Sequence, residues 1–317
     1  MPIYDSIVTA MGCAGTGGFA VYNDSIAHYN SSLITNIVSV AVLLFGINFN
    51  LYYFLLLRKF KAFFKDEELR TYIGIVVIAT ALIWLNVGGL YSSAGKGLEN
   101  ALFEVANVIT TTGFGITDLT VWPLFSQVIL LILMVIGGSA GSTAGGLKVM
   151  RALILTKISR NQVLSTLYPN RIMTLHVNHQ PLDKETQRGV LKYFSLYITL
   201  LVGLILILSL DSNNFMVVVS AAASTFNNIG PMLGTSDTFA IFSPFSKLLM
   251  SFCYDCWAFG NLPNVTTLHS KNLVKILNNE KRKALAFLFL CAKIFIASKR
   301  KIVWNWVITT CHKWMTT

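Results

Sequence analysis

Long apolar stretches with few charged residues recur along the first 252 residues of the chain. A helix needs about 20 such residues to cross the hydrocarbon core of a bilayer. Of all 317 residues, 54% are hydrophobic and 12% are charged, and that charged share is about half the share in an ordinary soluble domain. The chain therefore lacks the polar side chains to cover a soluble surface, and we predict an integral membrane protein. The predicted spans are Leu33–Leu57, Ile73–Tyr91, Trp122–Ile136, Val190–Leu210 and one that begins at Ser243–Phe252.

The composition excludes several other classes of protein. Five cysteines are too few for a secreted disulfide scaffold of this length, and the bulk of the chain is too apolar for intrinsic disorder. The net charge of +11 is concentrated at one end, because residues 253–317 contribute +8 of it. We therefore expect a lipid bilayer as the surroundings of the chain and no nucleic acid as a partner. The N-terminus has neither the basic region nor the apolar core of a signal peptide.

The placement of Lys and Arg in short loops predicts the orientation of the spans. Residues 58–70 carry five of them and residues 148–192 carry eight, so both loops should face the cytoplasm. Residues 91–125 carry only Lys96, and residues 211–244 carry none, so both should face outward. The loops alternate between the two sides as the predicted spans require.

A short apolar run that leads into a glycine-containing stretch occurs three times on the predicted outer side. We interpret each as a half-helix followed by a glycine-containing strand, set between two spans. The three glycines lie 95 and 117 residues apart, and an aspartate follows each, so the pattern reads as an internal repeat. The units are Ile3–Ala14 with Gly18 and Asp24, Leu98–Val108 with Gly113 and Asp118, and Phe215–Thr225 with Gly230 and Asp237.

This repeated unit suits a cation. Irregular backbone at membrane depth is tolerated only inside protein or along a water-filled path, and glycine lets carbonyl oxygens turn toward an axis, where they replace the hydration shell of K⁺. The negative C-terminal end of each half-helix favours a cation, and outer aspartates raise its local concentration. A single Gly-Phe after threonines would be weak evidence for a selectivity filter, so the prediction depends on the threefold repetition. The predicted filter is Gly15, Thr16, Gly17 and Gly18, then Ile109, Thr110, Thr111, Thr112 and Gly113, then Asn227, Asn228, Ile229 and Gly230, with Asp24, Asp118 and Asp237 at the outer mouth.

A run of ten small residues, Gly137–Gly146, interrupts the third span, which resumes at Leu147–Leu155. A cluster of small residues allows close helix packing, but ten residues drawn only from Gly, Ala, Ser and Thr are more than packing requires. Lys148 and Arg151 follow the run, where they serve either the inner mouth of a pore or the inside-positive anchoring of the helix.

These motifs resemble a known family. The stretches that carry the resemblance are GTGGF at Gly15–Phe19 with Asn23 and Asp24 after it, TTTGFGITDLTVWP at Thr110–Pro123, GGSAGSTAGGLKVMR at Gly137–Arg151 and NNIGPMLG at Asn227–Gly234. Over about residues 1–252 the chain resembles the Trk/Ktr/HKT superfamily of potassium uptake subunits, and within it the bacterial Trk-type pore subunit. The two middle stretches are the most specific.

The resemblance implies an all-α integral membrane fold in the bacterial inner membrane, with four span–P-loop–span repeats around one pseudo-fourfold cation pore. The chain would hold an incomplete set: the P-loop and second span of repeat two in 1–70, repeat three in 71–160, and the first span, P-loop and start of the second span of repeat four in 161–252. It also implies that small residues below the filter obstruct the pore as a gate loop. These are Gly137, Gly138, Ser139, Gly141, Ser142, Thr143, Gly145 and Gly146.

The same resemblance implies the partners. The chain would form a homodimer and bind a cytosolic nucleotide-binding regulatory subunit, although no nucleotide-binding motif stands in this sequence. K⁺ would be the transported ion, without any cofactor in the chain. The coupling of K⁺ to another ion is left open.

The segment after Phe252 departs from the family pattern. Permissible codons for Cys253–Val265, read one nucleotide out of frame, give AMIAGRLEIFPM, which is the family's text for the last span. We therefore predict a one-nucleotide insertion near Phe252 and an out-of-frame tail over residues 253–317. The arginine of the family's segment would then be missing from this chain.

Two alternatives stand beside potassium transport. An inactive remnant of such a subunit is one, because three filter segments do not close a ring of four. A membrane-embedded enzyme, or a redox protein that uses Cys253 and Cys256, is the other. That alternative would need paired ionisable residues inside the spans, and residues 1–252 have almost none, so we expect no enzyme.

Overall fold

The structure, a computed structural model, describes residues 1–168, 174–178, 180–235 and 239–260. These residues belong to the first of the two units into which the chain divides, Met1–Asn261. The predicted out-of-frame tail beyond residue 260 lies outside the described residues.

The first predicted span is bent. The prediction of one continuous helix over Leu33–Leu57 is wrong, because the helices on either side of Gly46–Asn48 meet at 93°. Gly46 ends the first of them, and the Asn48 side chain caps the second by accepting from the Asn50 N–H (3.0 Å). This part of the chain forms α1 (Ile3–Ala14), a 3₁₀ turn (Ser25–Tyr29), α2 (Ser32–Phe45), α3 (Phe49–Leu56) and α4 (Phe60–Lys65).

The middle part contains the predicted span Ile73–Tyr91, which begins six residues earlier than predicted. The Asp66 side chain accepts from the Leu69 N–H (2.8 Å) and so caps the helix before its first charged turn. The elements are α5 (Glu67–Val87), a 3₁₀ turn (Gly88–Leu90), α6 (Ala94–Ile109), a 3₁₀ turn (Leu119–Val121), α7 (Leu124–Ile136) and α8 (Val149–Leu167).

The last part contains the predicted span Val190–Leu210, which also starts earlier than predicted, at Lys184. The Asp183 side chain caps this helix by accepting from the Thr186 N–H (3.0 Å). A two-residue antiparallel pairing precedes it. The elements are β1 (His176–Val177), β2 (Gln180–Pro181), α9 (Lys184–Leu208), α10 (Phe215–Asn227), a 3₁₀ turn (Phe239–Ile241) and α11 (Pro244–Gly260).

Two of the described helices are long and apolar enough to cross a membrane: α5, continued to Leu90, and α9. The bent pair α2–α3 is a third if it counts as one span, whereas α1, α7 and α10 are apolar but shorter. Large apolar side chains on both long helices point outward, with Leu85 exposed by 74% and Leu206 by 63%. An apolar outer surface is what a lipid-facing helix requires.

The half-helices α6 and α10 lie at the centre of the described residues. α6 packs against α2, α5 and α7, and α10 packs against α7, α9 and α11. Their buried residues include Phe103 and Ile109 on α6 and Phe226 on α10. The C-terminal ends of both helices therefore lie inside protein, and the predicted all-α membrane fold is confirmed.

Candidate ion-conducting site

The same turn ends each of the three half-helices. After α6, the Thr112 N–H donates to the Asn107 carbonyl (2.9 Å) and the Thr111 N–H donates to the Val108 carbonyl (3.1 Å). This crossed pair of hydrogen bonds is the Schellman motif, which satisfies carbonyls that the helix end leaves free. The equivalent pairs are Gly17–Gly12 and Thr16–Cys13 after α1, and Ile229–Ser224 and Asn228–Thr225 after α10.

Each turn uses two residues with positive φ, separated by one residue without it. The first is not a glycine in any of the three segments, which is uncommon because a Cβ disfavours this conformation. The second is always the predicted filter glycine, so the backbone alternates in handedness where the filter was predicted. The values are 46° and 64° for Thr16 and Gly18, 54° and 83° for Thr111 and Gly113, and 57° and 109° for Asn228 and Gly230.

The three segments contact one another in chain order through these glycines. A Cβ on Gly18 would lie 1.9 Å from the Thr112 carbonyl oxygen, and a Cβ on Gly113 would lie 1.8 Å from the Ile229 carbonyl oxygen. A Cβ on Gly230 would meet no atom within 4 Å among the described residues. The structure thus brings the three segments together edge to edge, and at Gly230 the third one meets no further segment among the described residues.

A cavity of about 460 Å³ lies between these segments and the small-residue loop. The structure brings only some of the predicted filter residues to its wall. Thr110 instead donates its hydroxyl to the Ala106 carbonyl (2.6 Å), and the Asn227 side chain accepts from the Tyr197 hydroxyl (3.1 Å), so both brace the helix ends. The lining residues are Gly15, Thr16, Gly17, Phe19, Thr111, Gly141, Ser142, Thr143, Ala144, Gly145, Lys148, Asn228 and Tyr254.

The loop Gly137–Gly146, which the sequence predicts to be a gate and which is called the gate loop below, lies against the predicted filter segments. The Gly145 N–H donates to the Thr111 hydroxyl oxygen (2.6 Å), and a Cβ on Gly145 would lie 2.3 Å from the Asn227 carbonyl oxygen. The two ends of the loop meet, because the Lys148 N–H donates to the Ile136 carbonyl (2.8 Å). The loop therefore leaves the helical path and returns to it.

The gate loop is also bound at the bend between α2 and α3. The Ser139 N–H donates to the Gly46 carbonyl (3.0 Å), and the Phe49 N–H donates to the Gly141 carbonyl (3.1 Å). These contacts occupy backbone groups that a continuous helix through Gly46–Asn48 would use internally, which accounts for the bend that the sequence did not predict.

The two basic residues after the gate loop are placed differently. Lys148 is buried, lines the cavity and donates to the Ala144 carbonyl of the gate loop. Arg151 lies over the ring of Tyr193, with 3.9 Å between the guanidinium carbon and the ring centroid. Lys148 thus faces the cavity below the filter, whereas Arg151 makes a cation–π contact to α9.

The aspartates of the predicted outer mouth are exposed where they are described. Asp24 precedes the 3₁₀ turn at Ser25, and Asp118 precedes the turn at Leu119. Asp118 accepts from the N–H and hydroxyl of Thr120 (2.9 and 2.7 Å). Asp237 lies outside the described residues.

Replacing Thr120 with valine should raise the pKa of Asp118. The backbone and side-chain hydrogen bonds from Thr120 hold that pKa below its ordinary value, and the variant removes the hydroxyl but keeps the N–H. Because the folded-state pKa is lowered, the hydrogen-bonded carboxylate keeps its charge until the pH falls through that value. An NMR titration of carboxyl-labelled aspartate, with Asp118→Asn for assignment, measures the midpoint; equal midpoints in the parent and the variant would contradict the expectation.

Two buried carboxylates near the site were not predicted as site residues. Glu104 on α6 accepts from the Ile116 N–H (3.5 Å) and so braces the segment that leaves the filter. Glu68 on α5 accepts from the Ala140 N–H of the gate loop (2.5 Å). In the sequence, Glu68 is indistinguishable from its neighbours in a charged run between two spans, so only the fold reveals its contact.

Known proteins are similar to this chain over most of its length. The TrkH family, described as a cation transport protein, matches residues 1–271. The Trk system potassium uptake protein TrkH of Salmonella typhimurium is 34% identical over 257 residues, covering 79% of this chain and 53% of that protein. The corresponding protein TrkG of Escherichia coli is 29% identical over 256 residues, covering 79% and 52%. The chain thus spans about half the length of the curated relatives it matches.

A solved structure also resembles this chain. The crystal structure of the potassium transporter TrkH from Vibrio parahaemolyticus matches with a TM-score of 0.78 at 28% sequence identity, covering 86% of this chain and 60% of that chain. The family match and the apolar helices make this chain a multi-pass protein of the inner membrane. The resemblance drawn from the sequence motifs is confirmed, and the chain belongs to the TrkH family of cation transport proteins.

Proposed function

We propose that the chain forms part of the ion path of a bacterial potassium uptake system. The observation that carries this proposal is the edge-to-edge contact of the three filter segments, through Gly18 on Thr112 and Gly113 on Ile229. Contacts so close leave no room for side chains between the segments, so backbone groups dominate this part of the molecule. Backbone carbonyls are the groups with which known channels replace the hydration shell of K⁺.

K⁺ would pass from an outer mouth through the filter. The C-terminal ends of α1, α6 and α10 lie at the three segments, so the negative ends of three helix dipoles favour a cation there. Asp24, Asp118 and Asp237 would raise the cation concentration outside. Thr16, Thr111 and Asn228 would hold the backbone in its alternating conformation, while the other predicted filter residues supply carbonyls or brace the helix ends.

The gate loop would obstruct the path below the filter. The contacts of Gly145 with Thr111 and Asn227 support this position, because they bring small residues against the predicted filter segments, and buried Lys148 adds a positive charge on the same cavity wall. A cation would be repelled by that charge, so passage requires the loop and Lys148 to move.

The family match supports a proposal for the partners. The complete transporter would be a homodimer that binds a cytosolic nucleotide-binding regulatory subunit on the face that carries α4, the end of α8 and the β1–β2 pair. Transport would need no covalent catalysis and no cofactor in the chain.

An inactive remnant of such a transporter is a second candidate. The open edge at Gly230 supports it, because the third filter segment meets no neighbour on that side among the described residues. A filter with one open side would not surround a dehydrated cation with oxygens.

Uptake of radioactive rubidium by a potassium-uptake-deficient bacterium tests the two candidates. We expect uptake by cells that express the full-length gene with its reading frame restored near Phe252, hereafter the active transporter, and loss of uptake when Thr111, Thr112 and Gly113 are replaced together. Uptake that survives this replacement would contradict the filter assignment. Membrane insertion of the 317-residue chain without any uptake would favour the remnant.

A further inference from the structure

One buried carboxylate touches the gate loop from outside the ion path. Glu68 is exposed by only 1%, although it lies in the first turn of α5 next to a charged loop. It does not line the cavity below the filter. Burying a carboxylate costs much free energy unless the carboxylate is well hydrogen-bonded. The hydrogen bonds of Glu68 must therefore offset that cost.

The hydrogen-bond partners of Glu68 lie in the gate loop and in the two elements that flank it. Its Oε1 atom accepts from the Ala140 N–H of the loop (2.5 Å). The Asn48 side chain, at the bend before α3, and the Met150 N–H, in the first turn of α8, are also directed at the carboxylate. The positive end of the α8 dipole adds to the attraction.

The gate loop is thereby held from two sides. On the pore side, the Gly145 N–H is bound to the Thr111 hydroxyl (2.6 Å). On the opposite side, Glu68 binds Ala140 five residues earlier in the loop. A loop of small residues has little side-chain packing of its own, so such fixed hydrogen bonds determine where it rests.

We propose that Glu68 is the positioning residue of the gate loop, and that it keeps the loop against the filter by joining α5, the α2–α3 bend and the start of α8. The proposal rests on the proposed function for its effect on transport, but its effect on the loop is independent of transport. Neighbouring residues extend the connection toward the cytoplasm: Glu67 forms an ion pair with Lys157 on α8, and the Asn178 side chain donates to Asp66 (2.8 Å). A partner that displaces α8 or the β1–β2 pair would therefore pull on the turn that holds the loop.

Hydrogen–deuterium exchange of the full chain in lipid nanodiscs tests the proposal. Glu68→Ala should speed exchange in residues 139–150 by about tenfold, because the Ala140 N–H loses its acceptor. Glu68→Gln keeps an acceptor oxygen and should restore most of the protection. Glu67→Gln is the matched control, since it removes the neighbouring carboxylate of the same turn, which pairs with Lys157 on α8, and keeps the Glu68 acceptor of the Ala140 N–H.

Rubidium flux through the reconstituted transporter gives the second readout. Glu68→Ala should raise the maximal rate and leave the half-saturating concentration within about twofold, because the filter that binds the ion is unchanged. Exchange in residues 139–150 equal to that of Glu67→Gln would overturn the proposal, as would a loss of protection that extends throughout α6 and α10. An absence of flux in every sample would count against the proposed function alone, because the exchange result still decides the role of Glu68.

Discussion

Replacing Gly113 with alanine is expected to disrupt the filter and to lower the stability of the folded chain by about 2–5 kcal/mol. The new Cβ would lie 1.8 Å from the Ile229 carbonyl oxygen, and Gly113 has a φ of 83°. Overpacking of this kind costs about 1–3 kcal/mol, and the left-handed conformation adds about 1–2 kcal/mol for a residue with a Cβ. Thermal unfolding of the detergent-solubilised chain measures the loss, and the same variant should abolish rubidium uptake by the active transporter.

The neighbouring glycines give matched controls for this expectation. Gly115→Ala should be tolerated, because a Cβ there meets nothing within 4 Å and no left-handed φ is needed. Gly18→Ala should resemble Gly113→Ala, since its Cβ would lie 1.9 Å from the Thr112 carbonyl oxygen. Gly230→Ala should fall between them, with backbone strain at a φ of 109° but no clash. Equal unfolding midpoints for Gly113→Ala and Gly115→Ala would contradict the contact between the filter segments.

Replacing Gly145 with alanine is expected to move the gate loop away from the filter. The Cβ would lie 2.3 Å from the Asn227 carbonyl oxygen and 3.2 Å from the Thr111 hydroxyl oxygen, so the loop must shift and lose its hydrogen bond to Thr111. The combined cost of overpacking and of the lost bond is about 2–4 kcal/mol. Exchange of the loop amides should become faster, and the rubidium flux of an active transporter should rise because the obstruction is displaced.

Gly74→Ala is the control for the gate loop. Gly74 lies on α5, outside the loop, and a Cβ there meets nothing within 4 Å among the described residues, so the added methyl group should leave both exchange and flux near the parent values. If Gly145→Ala behaved like Gly74→Ala in both measurements, the loop would not rest against the filter as described.

The repeated half-helix and glycine could be predicted because they leave local signals. Each unit combines an apolar run, a glycine and a following aspartate, and the structure places a Schellman turn at each one. The left-handed residues Thr16 and Thr111 could not be predicted in the same way, because threonine has no preference for positive φ. The hydrogen bonds of the Schellman turns accompany this conformation, which the Cβ of threonine disfavours.

The bend at Gly46–Asn48 and the role of Glu68 depend on residues distant in sequence. Gly46 binds Ser139, and Glu68 binds Ala140, in each case across more than seventy residues of chain. From sequence, an apolar run without proline predicts one continuous span, and a glutamate in a charged loop is expected to be exposed to solvent. Both predictions fail because the gate loop packs against the α2–α3 bend and the first turn of α5.

The bend after α2 also has an electrical consequence. α2 has 14 residues and is about 21 Å long, whereas the hydrocarbon core of a bilayer is about 30 Å thick. The gate loop is bound at the inner end of this short helix and touches the filter on its other side. In the proposed ion path, the filter segments and the gate loop would lie within a layer thinner than the bilayer core, so a large part of the transmembrane voltage would fall across it. Each 100 mV across that layer would change the energy of a monovalent ion by about 2.3 kcal/mol.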